Sequence, residues 1–213
     1  NAGDELHLTW VFTPSGVNTA SSSSSGLRLA VVDSPSAARL TGDGSPGSST
    51  YAGYGIFMNM ATTLGSSSAF QLMARSAPAT SSAFLSSSGS WTSLANGAGK
   101  NVTGYADGET YTLMMTFIRN AANGLDIAAS MTGGSLNNTG SISVTYTDAA
   151  PNSFTFDTFG LRPSSANDSA TSFDTSLFKV ETVTENTAPS ITYDPQDQTV
   201  FKGQNATFTV TAD

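Results

Sequence analysis

The side chains able to do covalent or acid–base chemistry are few in these 213 residues. There is one histidine, His7, no cysteine, and four glutamates at positions 5, 109, 181 and 185. Thiolate chemistry and disulfides are therefore excluded. Serine is abundant, but no Gly-x-Ser-x-Gly elbow joins a strand to a helix, and a single histidine could serve at most one triad. No glycine-rich turn opens a helix, so nothing cradles a phosphate. Glu181 and Glu185 fall at a strand end and in a polar linker, positions of solvated charge. The expectation is a chain without catalysis.

Recognition chemistry is better supplied. Sugars are held by aromatic rings that stack on their faces and by Arg, Asn, Gln and Asp side chains that bond their hydroxyls. Alternation along the strands puts Asn59, Gln71, Met73 and Arg75 opposite the core on successive strands, with Met114, Thr116 and Asp126 on later ones. Gln71 and Arg75 are the best polar pair. Trp91 follows a Ser/Gly loop and Tyr105 follows Thr103-Gly104, so each is placed at the rim as a stacking platform. Trp10 keeps phase with Leu6 and Leu8 and reads as core, whereas Arg119 and Arg162 end strands, where surface and ligand roles weigh equally. For a metal, the candidates are carboxylate oxygens. Asp4 and Asp174 meet if the first and last strands pair, and the loop from Asp33 to Gly47 holds Asp33 and Asp43-Gly44. Neither set has the dense Asp-x-Asp-x-Asp-Gly spacing of a dedicated calcium loop.

The elements that must position these residues are strands. Leu6, Leu8, Trp10 and Phe12 alternate with His7, Thr9 and Val11, and the same period recurs at Leu27–Val31, Tyr54–Met60, Phe70–Ala74, Tyr111–Phe117, Leu125–Met131 and Ile142–Tyr146. No window sustains the i, i+3, i+4, i+7 spacing of an amphipathic helix. Phe154 and Phe156 share a face, but the pattern then shifts to Phe159 and Leu161, which predicts a bulge or bend between Asp157 and Gly160. Phe173, Phe178 and Val180 mark a final strand. Roughly ten strands joined by Gly/Ser loops predict two antiparallel sheets packed face to face.

Charged residues are 11% of the chain and the net charge is -8, so phosphate backbones and anionic lipid are repelled. Nucleic acid is not an expected partner. Ser and Thr make up roughly 30% of the residues, a balance typical of secreted β-proteins. No apolar run approaches the ~20 residues of a membrane-spanning helix, so membrane insertion is not expected. The first residues lack the basic and apolar regions of a signal peptide; a signal would lie upstream or have been removed.

Two resemblances organise the chain. The segments Gly26-Leu-Arg-Leu-Ala-Val, Tyr54-Gly-Ile-Phe-Met-Asn, Phe70-Gln-Leu-Met-Ala-Arg, Gly108-Glu-Thr-Tyr-Thr-Leu-Met-Met-Thr-Phe-Ile-Arg, Leu125-Asp-Ile-Ala-Ala-Ser-Met-Thr-Gly and Phe173-Asp-Thr-Ser-Leu-Phe-Lys-Val follow one another in the order of a concanavalin A-like jelly roll. The region resembles the laminin-G-like and lectin-like modules of large secreted bacterial proteins, which implies a concave glycan-binding sheet and, often, a structural calcium at the sandwich edge. Glycosidases of that fold carry a Glu-x-Asp-x-x-Glu strand, and lyases a Gln-x-His motif; neither is present. From Pro189 to Asp213 the chain reads PSITYDPQDQTVFKGQNATFTVTAD, with strand patterns at Ile191–Tyr193, Thr199–Phe201 and Ala206–Thr211. This resembles the opening of a bacterial immunoglobulin-like domain, which needs about seven strands to close.

The expected organisation is thus an all-β jelly-roll sandwich over residues 1–182, a linker over 183–188 and an incomplete immunoglobulin-like segment over 189–213. The expected function is non-catalytic binding of an extracellular polysaccharide within a secreted, multidomain protein at or outside the cell surface. Two alternatives stand beside it. One is an adhesin or filament subunit that self-associates through its C-terminal strands. The other is a polysaccharide-active enzyme, which requires Arg75, His7 and a tyrosine to converge in one cleft.

Overall fold

The structure, a computed structural model, describes residues 1–19, 23–39, 41–42, 49–80, 82–164, 169–184 and 191–212. Asp43, Glu185 and the rest of the expected linker from 186 to 188 lie outside the described residues, as does part of the serine tract at 21–25.

Among the described residues the chain forms β1 (Glu5–Ser15), β2 (Leu27–Asp33), β3 (Ala52–Met58), β4 (Thr63–Leu64), β5 (Phe70–Arg75), β6 (Thr92–Gly97), β7 (Val102–Thr103), β8 (Tyr111–Arg119), β9 (Leu125–Thr132), β10 (Ser141–Asp148), β11 (Thr158–Pro163), β12 (Ser172–Val183), β13 (Ile191–Tyr193) and β14 (Thr211–Ala212). The first large sheet has the order β10-β9-β8-β1-β12 and the second β11-β2-β3-β5-β6. All their pairings are antiparallel, so the chain is an all-β, two-sheet sandwich.

Between the sheets lies the main core, built from the alternating residues read in the sequence. Leu8, Trp10 and Phe12 of β1 meet Leu113, Met115 and Phe117 of β8, and Leu29, Ile56 and Leu72 close from the second sheet. Trp10 stacks on Phe12 at 4.0 Å and donates its indole N–H to the Thr175 hydroxyl at 3.0 Å, so the ring is buried without leaving a polar atom unsatisfied.

The two sheets differ on their outer faces. Along β8 and β9 buried and accessible residues alternate, as expected of a sheet with one face in water. Every residue of β3 is buried, and so are all of β2 but Asp33. The cause is the connection between β5 and β6, which folds back over the second sheet and lays Phe84, Leu85 and Trp91 on Ala30, Val32, Phe57 and Met73. Arg28 and Trp91 hold this flap by consecutive carbonyls: Arg28 Nη1 donates to Leu85 at 2.6 Å and Trp91 Nε1 to Phe84 at 2.8 Å.

The phase shift after Phe156 is a bend, not a bulge. Residues 154–156 belong to no strand, and β11 begins at Thr158 opposite Val32. The bend is tied by Asp157. Burial alone would raise its carboxyl, but the Ser34 backbone N–H and hydroxyl, both at 2.9 Å, the Thr158 hydroxyl and the Arg39 guanidinium hold it below the usual carboxylate range. A lowered carboxyl contributes stability that is present above the unfolded value and is lost as pH falls through the folded one. Thermal melts on acidification below about pH 4 should therefore show part of the loss abolished in Asp157→Asn. An unchanged acid limb in that variant would reject the assignment.

The C-terminal segment is simpler than its sequence pattern. β13 pairs only with the two residues of β14, and neither Thr199–Phe201 nor 206–210 forms a strand. Val183, expected in the linker, is the last residue of β12 and pairs with Glu5.

Candidate functional site

The expected site residues fall into four places. Asn59 is fully buried and staples loops: its Nδ2 donates to the Ser23 carbonyl at 2.7 Å and its Oδ1 accepts from the Gly65 N–H at 3.0 Å. Gln71 and Arg75 do share the outer face of the second sheet, but the flap covers that face. Arg75 is 0% exposed, its guanidinium 5.8 Å from the Trp91 ring, and burial lowers its pKa. Gln71 keeps partial exposure beside Phe57 and Asn96.

Trp91 and Tyr105 are not rim platforms. Trp91 is 7% exposed because it is the anchor of the flap, 5.2 Å from Phe57 and 6.1 Å from Phe84. Tyr105 lies in the main core, its ring 4.9 Å from Tyr111 and its hydroxyl directed at Met58 Sδ at 3.8 Å. Burial, aided by Tyr111, pushes that phenol well up.

Met114, Thr116 and Asp126 lie on the outer face of the first sheet, a sandwich thickness away from Gln71 and Arg75. The two sets cannot line one groove. His7 is also on the first sheet's outer face, contacting the Glu5 carboxylate, so Arg75 and His7 do not converge as the enzyme alternative requires.

Asp4 and Asp174 do not meet either. β1 and β12 pair as expected, but the antiparallel register sets Asp174 opposite Thr13 and Glu5 opposite Val183. Asp4 is therefore nine residues from Thr13 along β1, about 30 Å. Among the described residues no three His, Asp or Glu side chains gather as a metal site.

Two residues expected in separate roles, Arg119 as a ligand contact and Asp4 as a metal ligand, are brought together at the end of the sandwich where β1 starts and β8 and β12 finish. The Arg119 N–H donates to the Asp4 carbonyl at 3.0 Å and the Gly3 N–H to the Arg119 carbonyl at 2.7 Å, strapping the N-terminal turn to β8. The side chains border a cleft of about 400 Å³, together with Glu5, Phe154, Thr155 and Thr182. That volume is in the range of small-ligand sites. The Arg119 guanidinium sits 4.4 Å from the centroid of the Phe154 ring and donates to Asn123 Oδ1 at 2.7 Å, so it is oriented rather than free. Behind them Phe156 packs on Phe117 at 4.9 Å and on Tyr54 at 6.1 Å, giving the cleft an aromatic floor.

Phe154 is the residue that sequence reasoning missed. Its spacing places it on one face of a strand with Phe156, yet it is 37% exposed because the segment carrying it lies outside the sheets. The available signal was Pro151-Asn152-Ser153, a turn sequence immediately before it.

A second, open depression of about 350 Å³ lies over Thr116, Ile118, Ala128, Thr145 and Thr147 on the outer face of the first sheet. The one carboxylate there, Asp126, already accepts from Thr147 Oγ1 at 2.7 Å and Asn120 Nδ2 at 3.2 Å. The carboxylates of the end cleft are engaged as well, Asp4 with the N-terminal ammonium and Glu5 with His7, but the cleft adds an exposed ring and a guanidinium, which give it the greater capacity to recognise a polyhydroxylated ligand. In comparisons with protein-family models, curated proteins and solved structures, the chain matches none.

Proposed function

We propose that the sandwich is a non-catalytic carbohydrate-binding module of concanavalin A-like jelly-roll type in a secreted multidomain protein, and that it takes a polysaccharide at the end cleft. The observation that carries this reading is the Phe154 ring. It is 37% exposed with the Arg119 guanidinium 4.4 Å from its centroid, and Asp4, Glu5 and Thr182 border the same cleft. A ring beside charged and hydroxyl groups is what sugar recognition uses, an apolar patch for the C–H face and bidentate partners for hydroxyls. The sparse charge and the -8 balance fit a neutral polysaccharide better than a polyanion. Among the described residues no helix is long and apolar enough to cross a membrane.

The test is retention of the 213-residue chain on a panel of insoluble polysaccharides and a glycan array. Phe154→Ala should lower retention about tenfold or more, as removal of a stacking ring does, and Arg119→Gln by a similar factor. Both positions border solvent, so melting should change little. A folded chain retained by no glycan, or retained equally well by both variants, would reject the proposal.

A further inference from the structure

Strand β12 is the long open edge of the first sheet. It has 12 residues, contains no proline and, among the described residues, pairs on one side only, with β1. Natural edges are blunted by shortness, bulges, proline, charged side chains such as lysine, or inward charge, and here Lys179 with Glu181 is a charged pair that only a complementary edge can meet. The neighbouring edge of the second sheet, β11, has only six residues and ends at Pro163. In β12 the bulge lies early: Val11 pairs with Leu177 and Phe12 with Thr175, leaving Ser176 extra. From Leu177 to Val183 the edge is then regular, and Leu177, Phe178, Val180 and Val183 are 42–51% exposed.

We propose that this edge pairs with β12 of a second copy of the chain, antiparallel about a two-fold axis at Val180, joining two five-stranded sheets into one of ten. The sequence of the edge selects the occupant and the register. With Val180 on the axis, Lys179 faces Glu181 of the partner subunit, and the symmetry repeats that pair. Leu177 then faces Val183 of the partner subunit, and Val180 faces itself. Moving the axis to Lys179 would oppose two ammonium groups, and moving it to Phe178 would set Lys179 against leucine. Opposite charges and paired apolar side chains directly across an antiparallel ladder are stabilising, and like charges are not. The register joins residues of the same parity, so the N–H and C=O groups that point away from β1 in one copy meet those of the other. Lys179 and Glu181 already pair along the strand at 2.7 Å, so each gains a second counter-charge. The seven paired residues span about 24 Å, ending at the bulge on one side and at the end of β12 on the other. This contact does not depend on the glycan reading.

Sedimentation velocity of the 213-residue chain from about 1 μM to about 1 mM should show a monomer–dimer equilibrium. Lys179→Glu and Glu181→Lys should each weaken it about tenfold or more, because each sets two like-charged pairs opposite one another. An equimolar mixture of the two variants should dimerise again, since the heterodimer restores both opposite-charge pairs. Both side chains are about half exposed, and unchanged melting curves will show that the fold is intact. A monomer at every concentration overturns the proposal. So does a dimer indifferent to both substitutions, or one weakened by each that mixing fails to restore.

Discussion

Trp91→Ala is expected to destabilise the sandwich by about 3–5 kcal/mol, read as a fall of roughly 6–20 °C in melting temperature. The ring is the floor plate of the flap. It touches Phe57 and Phe84, lies under Arg75 and spends its N–H on the Phe84 carbonyl. Truncation leaves a cavity between flap and sheet, orphans that carbonyl and uncovers an arginine whose charge is already unfavourably buried. Trp91→Phe keeps most of the contact area and should recover more than half the loss. Hydrogen exchange separates two ways of failing: faster exchange confined to residues 82–91 would mean that the flap lifts while the sheets hold. Glycan retention of the protein that remains folded should be unaltered. A stable Trp91→Ala that instead loses glycan binding would place the ligand on the second sheet and contradict the end cleft.

Gly53→Ala should cost about 2–4 kcal/mol, through strain at positive φ together with overpacking. The residue has φ +149°, and an added Cβ would stand 2.4 Å from the Val31 carbonyl oxygen and 2.8 Å from Val32 Cα. Both are backbone atoms of β2, so no side chain can turn aside. Gly55 repeats the constraint two residues on, with a Cβ site 2.6 Å from the Leu29 oxygen and 3.2 Å from the Trp91 ring. The two glycines thus let β3 press against β2 and let the flap lie flat upon it. Gly108→Ala is the control. Its φ is +75° with nothing within 4 Å of the added carbon, so it carries the backbone cost alone, about 1 kcal/mol. Urea midpoints should order wild type, Gly108→Ala, Gly53→Ala with equal slopes. Equal losses in the two variants would mean that the close approach at Gly53 is not real.

Period-two alternation was a sound guide to the inner faces, because a half-buried strand must present every second side chain to the core. Leu8, Trp10, Phe12, Leu113, Met115 and Phe117 are where that rule puts them. It misled on the opposite side of the second sheet. Arg75 is out of phase with the core and still fully buried, so out of phase is not the same as exposed. The flap breaks the equation, for it carries few local signals and takes its place through distant partners: Phe84, Leu85 and Trp91 pack on Ala30, Val32, Phe57 and Met73, and Arg28 bonds the Leu85 carbonyl. β6 was missed for a related reason: its Thr-Ser-Leu-Ala-Asn-Gly sequence is weakly apolar and is held in the sheet by pairing with β5.

The candidate site was legible only in part. Arg119 at the end of β8 was named as a possible contact and Asp4 as a metal ligand; the fold sets both at one cleft. Phe154, the third member, shares a strand-like phase with Phe156 in the sequence, and that phase does not single it out as a contact residue. Asp174 was paired with Asp4 on a correct premise, that the first and last strands are neighbours, and failed on register. Neighbouring strands say nothing about which residues are level, and a ladder of eleven pairs can separate two carboxylates by its whole length.

By itself, then, the sequence determined the class of the fold: period-two hydrophobicity forces half-buried strands, and the absence of cysteine removes disulfides from what can hold them together. Only the tertiary structure decided which outer face is open, where the bend at Asp157 releases Phe154 and which residues stand level across β1 and β12. These are long-range outcomes. They depend on which segment covers which face and in what register, and local alternation encodes neither.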